Sequence, residues 1–178
     1  MHDAADALTD HVIAVISESG LDGLSVRTVA AHADVSIGAV QHHFPTKAQM
    51  LRAAMRTVAA RSAKRFEAAC AGNKTAQQIL AQLLQILVPR SVDDETARVW
   101  IAFSARALTD PEIGEVYRDV WSRLRSDIAE LMERAGVPSN EIADRATTTL
   151  AMADGLTIDV LTGALSPDEA RSIITALA

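Results

Sequence analysis

The chain's 178 residues, 49% of them apolar, predict one domain or two small ones and exclude wholesale disorder. A single cysteine excludes an intramolecular disulfide. The acidic start Met1-His2-Asp3-Ala4-Ala5-Asp6 has no signal-peptide features and no apolar run approaches the ~20 residues of a membrane span, so the expectation is a cytoplasmic protein with no membrane partner. A net charge of −6 argues by itself against nucleic acid, yet residues 1–70 are balanced, hold all five histidines, and leave the whole acidic excess to residues 71–178.

Helix signals recur along the chain, and strand signals are nearly absent. Leu8, Val12, Ile13 and Ile16 form one stripe, stopped at Gly20. Ser25 caps a short helix carrying Val26, Val29, Ala30 and Ala33. A second short helix starts near Ser36 and carries Val40 and Phe44. Thr46-Lys47-Ala48-Gln49 has capping-box spacing, and the helix behind it runs toward Ala71 before Gly72-Asn73. Thr75-x-x-Gln78 opens a helix that is apolar around much of its girth and ends before Pro89. Residues 94–108 follow, with Trp100, Phe103 and Ala107 at helical spacing. Asp110-Pro111-Glu112 supplies a cap, a proline at the first helical position and an acid for a long helix to Gly136. Ser139 opens another helix to about Ala164, and Ser166-Pro167-Asp168-Glu169 opens the last. The expected fold is all-α, with about nine helices.

The informative stretch is Leu24 to Phe44, which reads as helix, short turn, helix. Small residues at the closest approach (Ala30, Ala33, Gly38) allow tight packing, and Val29, Val35, Val40 and Phe44 supply a shared core. That leaves Ser36, Ile37, Ala39, Gln41 and His42 on the outer face, as in a helix-turn-helix whose second helix fits a DNA major groove. His42-His43 is a poor metal pair, because adjacent helical residues diverge and no Cys or carboxylate motif accompanies them.

Ser25-Val26-Arg27-Thr28-Val29-Ala30, Asp34-Val35-Ser36-Ile37-Gly38-Ala39-Val40 and His43-Phe44-Pro45-Thr46-Lys47 together resemble the TetR family of bacterial transcriptional regulators. Asp154-Gly155-Leu156 and Leu161-Thr162-Gly163-Ala164-Leu165-Ser166-Pro167 lean toward its BetI-like branch. The resemblance implies a DNA-binding domain over residues 1–48 and a helical effector-binding and dimerisation domain over 49–178. It makes Ser25, Thr28, Ser36, His43 and Lys47 phosphate contacts; helix N-termini favour an anion, and Lys47 is badly placed for its own helix dipole. Gln41 and His42 fall where base edges are read, Ile37 and Ala39 where thymine methyl groups lie, and Gly38 stands between them. One departure is the family's basic arm, replaced here by Ala4 and Ala5 between Asp3 and Asp6. Either the natural chain starts earlier or it binds DNA more weakly.

For the remainder, the resemblance implies an apolar cavity for an unknown small-molecule effector, with Trp100, Phe103, Tyr117, Trp121, Met132 and Met152 as candidate lining. Arg98, Arg106 and Asp154 are candidate polar contacts. Charge alternation from Glu115 to Arg134 reads as a solvated face laced with ion pairs. The last two helices carry an apolar stripe (Ala146, Leu150, Ala153, Thr157, Val160, Leu161, Ile173, Ile174, Leu177) that is expected to meet the same helices of a second subunit. Two recognition helices would then sit ~34–36 Å apart on a pseudo-palindromic double-stranded operator.

The expected function is a ligand-responsive transcriptional regulator acting as a repressor. The alternative is a small-molecule-binding protein of the same fold with weak or lost operator binding. An enzyme is least favoured: no nucleophile lies in a recognisable setting, and HExxH, GxGxxG and P-loop motifs are missing. No cofactor is expected.

Overall fold

The computed structural model describes residues 4–177; residues 1–3 and 178, and with them Asp3 of the acidic start, lie outside the described residues. Among the described residues there are nine α-helices and no strand: α1 (Ala4–Gly23), α2 (Val26–Ala33), α3 (Ile37–His43), α4 (Lys47–Cys70), α5 (Ala76–Leu87), α6 (Glu95–Ala107), α7 (Pro111–Arg134), α8 (Ser139–Leu161) and α9 (Pro167–Thr175). They form two compact units. One comprises the chain up to Ala60 with Glu95–Glu115; the other comprises Arg61–Asp94 and the chain from Val116 onward. Packing thus divides the chain differently from the functional boundary expected after residue 48, because α6 and the first turn of α7 join the N-terminal helices.

In the first unit, α1 buries Leu8, Val12, Ile13, Val15 and Ile16 and packs on α2 and α6. Its regular path breaks at Gly20, whose φ of 64° is open to glycine, and one further turn leads to Gly23. The Thr46–Gln49 box forms as its spacing predicts: Thr46 N–H donates to Gln49 Oε1 (3.1 Å) and Gln49 N–H to Thr46 Oγ1 (3.2 Å). Asp110 accepts from the Ile113 N–H (3.3 Å) at the start of α7. This bond, with a guanidinium contact from Arg106, holds its carboxyl below the usual carboxylate range.

In the second unit, α9 packs against α5 and α8 around one core that includes Leu80, Leu84, Ile128, Met132, Leu150 and Ile174. The Thr75–Gln78 and Ser166–Glu169 boxes both form; the Ser166 hydroxyl lowers the Glu169 carboxyl. Helix α7 ends on Gly136 at φ 87°, with Val137 N–H closing onto Met132 O (3.0 Å).

The terminal stripe departs from expectation. Ala146, Leu150, Ala153, Thr157, Val160 and Ile174 are buried within this chain's own core. Burying a side chain of the size of Leu150, Val160 or Ile174 contributes about 1.5–3 kcal/mol, and this chain alone already hides these, so they need no second subunit. Ile158 (50% exposed) and Ile173 (42%) are the large apolar residues that α8 and α9 leave outside. The charged face of α7 is solvated as expected but not laced: no ion pair is described along it, and burial together with the like charge of Glu130 raises the Asp127 carboxyl.

Candidate nucleic-acid interface

The helix-turn-helix assembles from local hydrogen bonds. Ser25 Oγ accepts from Thr28 N–H (3.0 Å), and Thr28 Oγ1 accepts from Ser25 N–H (2.9 Å), a reciprocal box closing the start of α2. The Thr28 hydroxyl also donates to Gly23 O (2.7 Å). At the other end, Asp34 adopts the left-handed conformation (φ 53°) and Val35 N–H closes onto Ala30 O (3.0 Å). Ser36 then caps α3, its hydroxyl accepting from Ala39 N–H (3.1 Å).

Val29, Ala30, Val40 and Phe44 are buried as expected. Val35 is not: it is 41% exposed, since the left-handed turn at Asp34 carries its side chain out of the pair. Gly38 is also displaced from its expected place at the closest approach. A Cβ there would meet only Ser36 Oγ, at 3.8 Å, so internal packing does not call for glycine. Ser36, Ile37 (46% exposed), Gly38, Gln41, His42 and His43 are exposed and Ala39 is half-buried, which gives α3 one continuous free face. The His42 and His43 rings meet edge to face, with centroids 5.3 Å apart.

Lys47 is exposed, and its ammonium donates to the Leu21 carbonyl at the end of α1. A cation at a helix C-terminus is favourable, which supplies an internal reason for a charge ill-suited to its own helix. One bond leaves two of its three N–H donors. With Asp22, Arg106, Thr109 and Asp110 it edges a hollow of about 260 Å³ within the first unit. Arg52 pairs with Glu112, and Arg98 donates to Ser17 O (2.9 Å), so the polar ends of α6 and α7 are fastened to α1 and α4. Sequence reasoning missed these fastenings, for they join residues up to 81 positions apart.

Residues 8–54 match the bacterial regulatory proteins of the tetR family, and residues 75–178 match the C-terminal region of BetI-type transcriptional repressors. The chain belongs to the TetR family. The BetI regulator of Paraburkholderia phymatum is 30% identical over 171 residues, spanning 90% of this chain and 81% of that protein. A transcriptional regulator from Rhodococcus sp. Rha1 superposes with a TM-score of 0.86 at 31% identity, over 98% of this chain and 94% of that one. A protein from Saccharomonospora viridis, solved in complex with choline, has the same fold at 23% identity (TM-score 0.86, 97% and 94% covered). This TetR-family chain is accordingly a transcriptional regulator and not an enzyme.

The candidate effector residues fall in both units. Trp100 and Phe103 stack in the first (centroids 6.4 Å), with Phe103 fully buried. In the second, Met132 is fully buried, Met152 packs on the core, and the half-buried Trp121 carries Arg125 over its ring at 5.5 Å. The Tyr117 hydroxyl donates to Asp154 Oδ2 (3.4 Å). Arg106 pairs with Asp110 (3.1 Å).

Proposed function

We propose that this TetR-family chain is a ligand-responsive repressor that binds a pseudo-palindromic operator as a homodimer, with residues 1–48 as the DNA-binding domain and 49–178 as the effector-binding and dimerisation domain. The observation that carries the proposal is the free face of α3. Val40 and Phe44 hold the helix while Ile37, Gly38, Gln41 and His42 stay outside, over a length that suits a major groove. Gln41 reads adenine bidentately, with His42 beside it. Ile37 and Ala39 meet thymine methyl groups, and Gly38 lets the DNA approach the helix backbone. Ser25, Ser36, His43 and Lys47 anchor phosphates; Thr28 contributes chiefly by holding the α2 N-terminus in shape.

For the effector site we favour the second unit. Tyr117 and Trp121 stand one turn apart on α7, and the Tyr117 hydroxyl meets the Asp154 carboxylate on α8. Aromatic faces beside a carboxylate suit an organic cation. The choline complex of the Saccharomonospora protein makes such cations the first compounds to test. An effector that prefers one conformation shifts operator affinity by that preference and no more.

For the dimer, the monomer core residues of α8 are unavailable, so the contact moves to its exposed face. Thr147, Ala151, Gly155, Ile158 and Thr162 recur there every three or four positions and carry no charge. A Cβ on Gly155 would meet nothing within 4 Å, so this chain by itself has no packing use for a mid-helix glycine that costs about 0.5–1 kcal/mol. Close approach of a second α8 supplies one.

A gel-shift screen of the DNA flanking the protein's own gene, with and without organic cations, tests the reading. Sequence-specific retardation relieved by one cation is expected; no retardation of any fragment in low salt refutes it. The weak-binding alternative draws on Lys47, whose ammonium is already engaged by Leu21 O. It predicts sequence-blind DNA association alongside ligand-raised thermal stability.

A further inference from the structure

We propose that His11 and His32 form a proton-controlled latch between α1 and α2 that positions the helix-turn-helix, so that acidification weakens operator binding; the DNA consequence rests on the function proposed above. His11 Nδ1 lies 2.8 Å from His32 Nδ1, with ring centroids 5.1 Å apart at a steep angle. Two imidazole nitrogens at that distance share one proton: one must donate and the other must accept. The contact therefore exists with the pair neutral or carrying one added proton. A second removes the only acceptor and sets two imidazolium rings against each other.

The surroundings suit one charge and not two. Glu18 Oε1 lies 3.9 Å from His32 Nε2, and His32 sits in the last turn of α2, where the helix dipole favours a cation. Besides Glu18, α1 brings Asp10 next to His11, and Asp34 follows α2 at its cap. From α6, packed on α1, Arg98 reaches in but is bonded to Ser17 O. From α3, packed on α2, the His42 and His43 rings meet each other edge to face. The latch joins the two helices side chain to side chain, beside the Thr28 hydroxyl's bond to Gly23 O, and α2 carries the recognition helix through the turn at Asp34.

The test uses the full chain. Through-bond coupling between the two Nδ1 nuclei, measured by nitrogen NMR on the wild type, should be present at about pH 7.5 and lost by about pH 5. Between those pH values the wild-type folding constant should fall about fivefold further than that of His32→Gln, whose amide keeps a hydrogen bond and cannot titrate. Operator affinity should fall by a similar excess factor; comparison with His32→Gln at the same pH cancels the effect of acid on the DNA-facing residues themselves. Absence of coupling at about pH 7.5, or identical acid responses of wild type and His32→Gln, overturns the latch. Coupling and differential stability as expected, with no specific DNA binding at any pH, supports the latch and overturns the operator reading.

Discussion

Replacing Thr28 by valine deletes one hydroxyl from a nearly isosteric side chain, and the cost can be counted bond by bond. Ser25 N–H loses its acceptor at 2.9 Å, the Ser25 hydroxyl its partner at 2.6 Å and Gly23 O its donor at 2.7 Å, while Thr28 N–H keeps Ser25 Oγ at 3.0 Å. Threonine and valine are both β-branched, so helix propensity barely changes. Three net hydrogen bonds at about 0.5–1.5 kcal/mol each give about 1.5–4.5 kcal/mol, and water access at this exposed turn places the value in the lower half of that range, about 1.5–3 kcal/mol. Urea denaturation should show this as a lower midpoint with unchanged slope. Because the single hydroxyl proton is aimed at carbonyls of the chain itself, Gly23 O at 2.7 Å and Ser25 O at 3.0 Å, operator affinity of the folded variant should fall by less than about threefold. A donor bond to phosphate would be a charge-assisted hydrogen bond of about 1.5–3 kcal/mol, and its loss would cost tenfold or more. Unchanged stability with a tenfold loss of affinity would refute the reasoning.

Other perturbations separate the remaining roles. Lys47→Ala should weaken binding to all DNA sequences alike and reduce the salt slope by about one, whereas Gln41→Ala should relax preference at one or two base pairs; identical behaviour in salt titrations would erase the distinction between anchoring and reading. Leu150→Ala, within the monomer core, should cost about 2–5 kcal/mol in denaturant whatever the protein concentration. Gly155→Arg should instead give monomers by analytical ultracentrifugation with helical content retained, and a persisting dimer would place the interface elsewhere. Asp110 and Glu169 titrate below their ordinary range, so their stabilising contribution is present above that range and is lost as pH falls through their depressed values. Asp110→Ala should therefore lose less stability than wild type between about pH 6 and pH 3 in thermal melts.

What the sequence reveals is mostly what is local. The Thr46–Gln49, Thr75–Gln78 and Ser166–Glu169 boxes are three-residue spacings with one chemical meaning, and each forms. The Ser25–Thr28 box escapes that pattern because a hydroxyl stands where Glu or Gln is expected. Val35 is misread because helical periodicity fails in a left-handed turn. The α8–α9 stripe shows that something covers it but not what, and α5 and α7 of the same chain do so. Lys47 is visible as a cation at the wrong end of its own helix, but the carbonyl it answers belongs to α1, 26 residues away. Likewise two histidines 21 positions apart carry no mark of meeting.

Hydroxyl-radical footprinting of the natural-length protein on the DNA flanking its own gene, in low salt, puts α3 to the most direct trial. Two symmetric protected patches about one helical turn apart, both weakened by Gln41→Ala, are the predicted result. Uniform cleavage of every fragment at saturating protein would contradict a groove-reading α3.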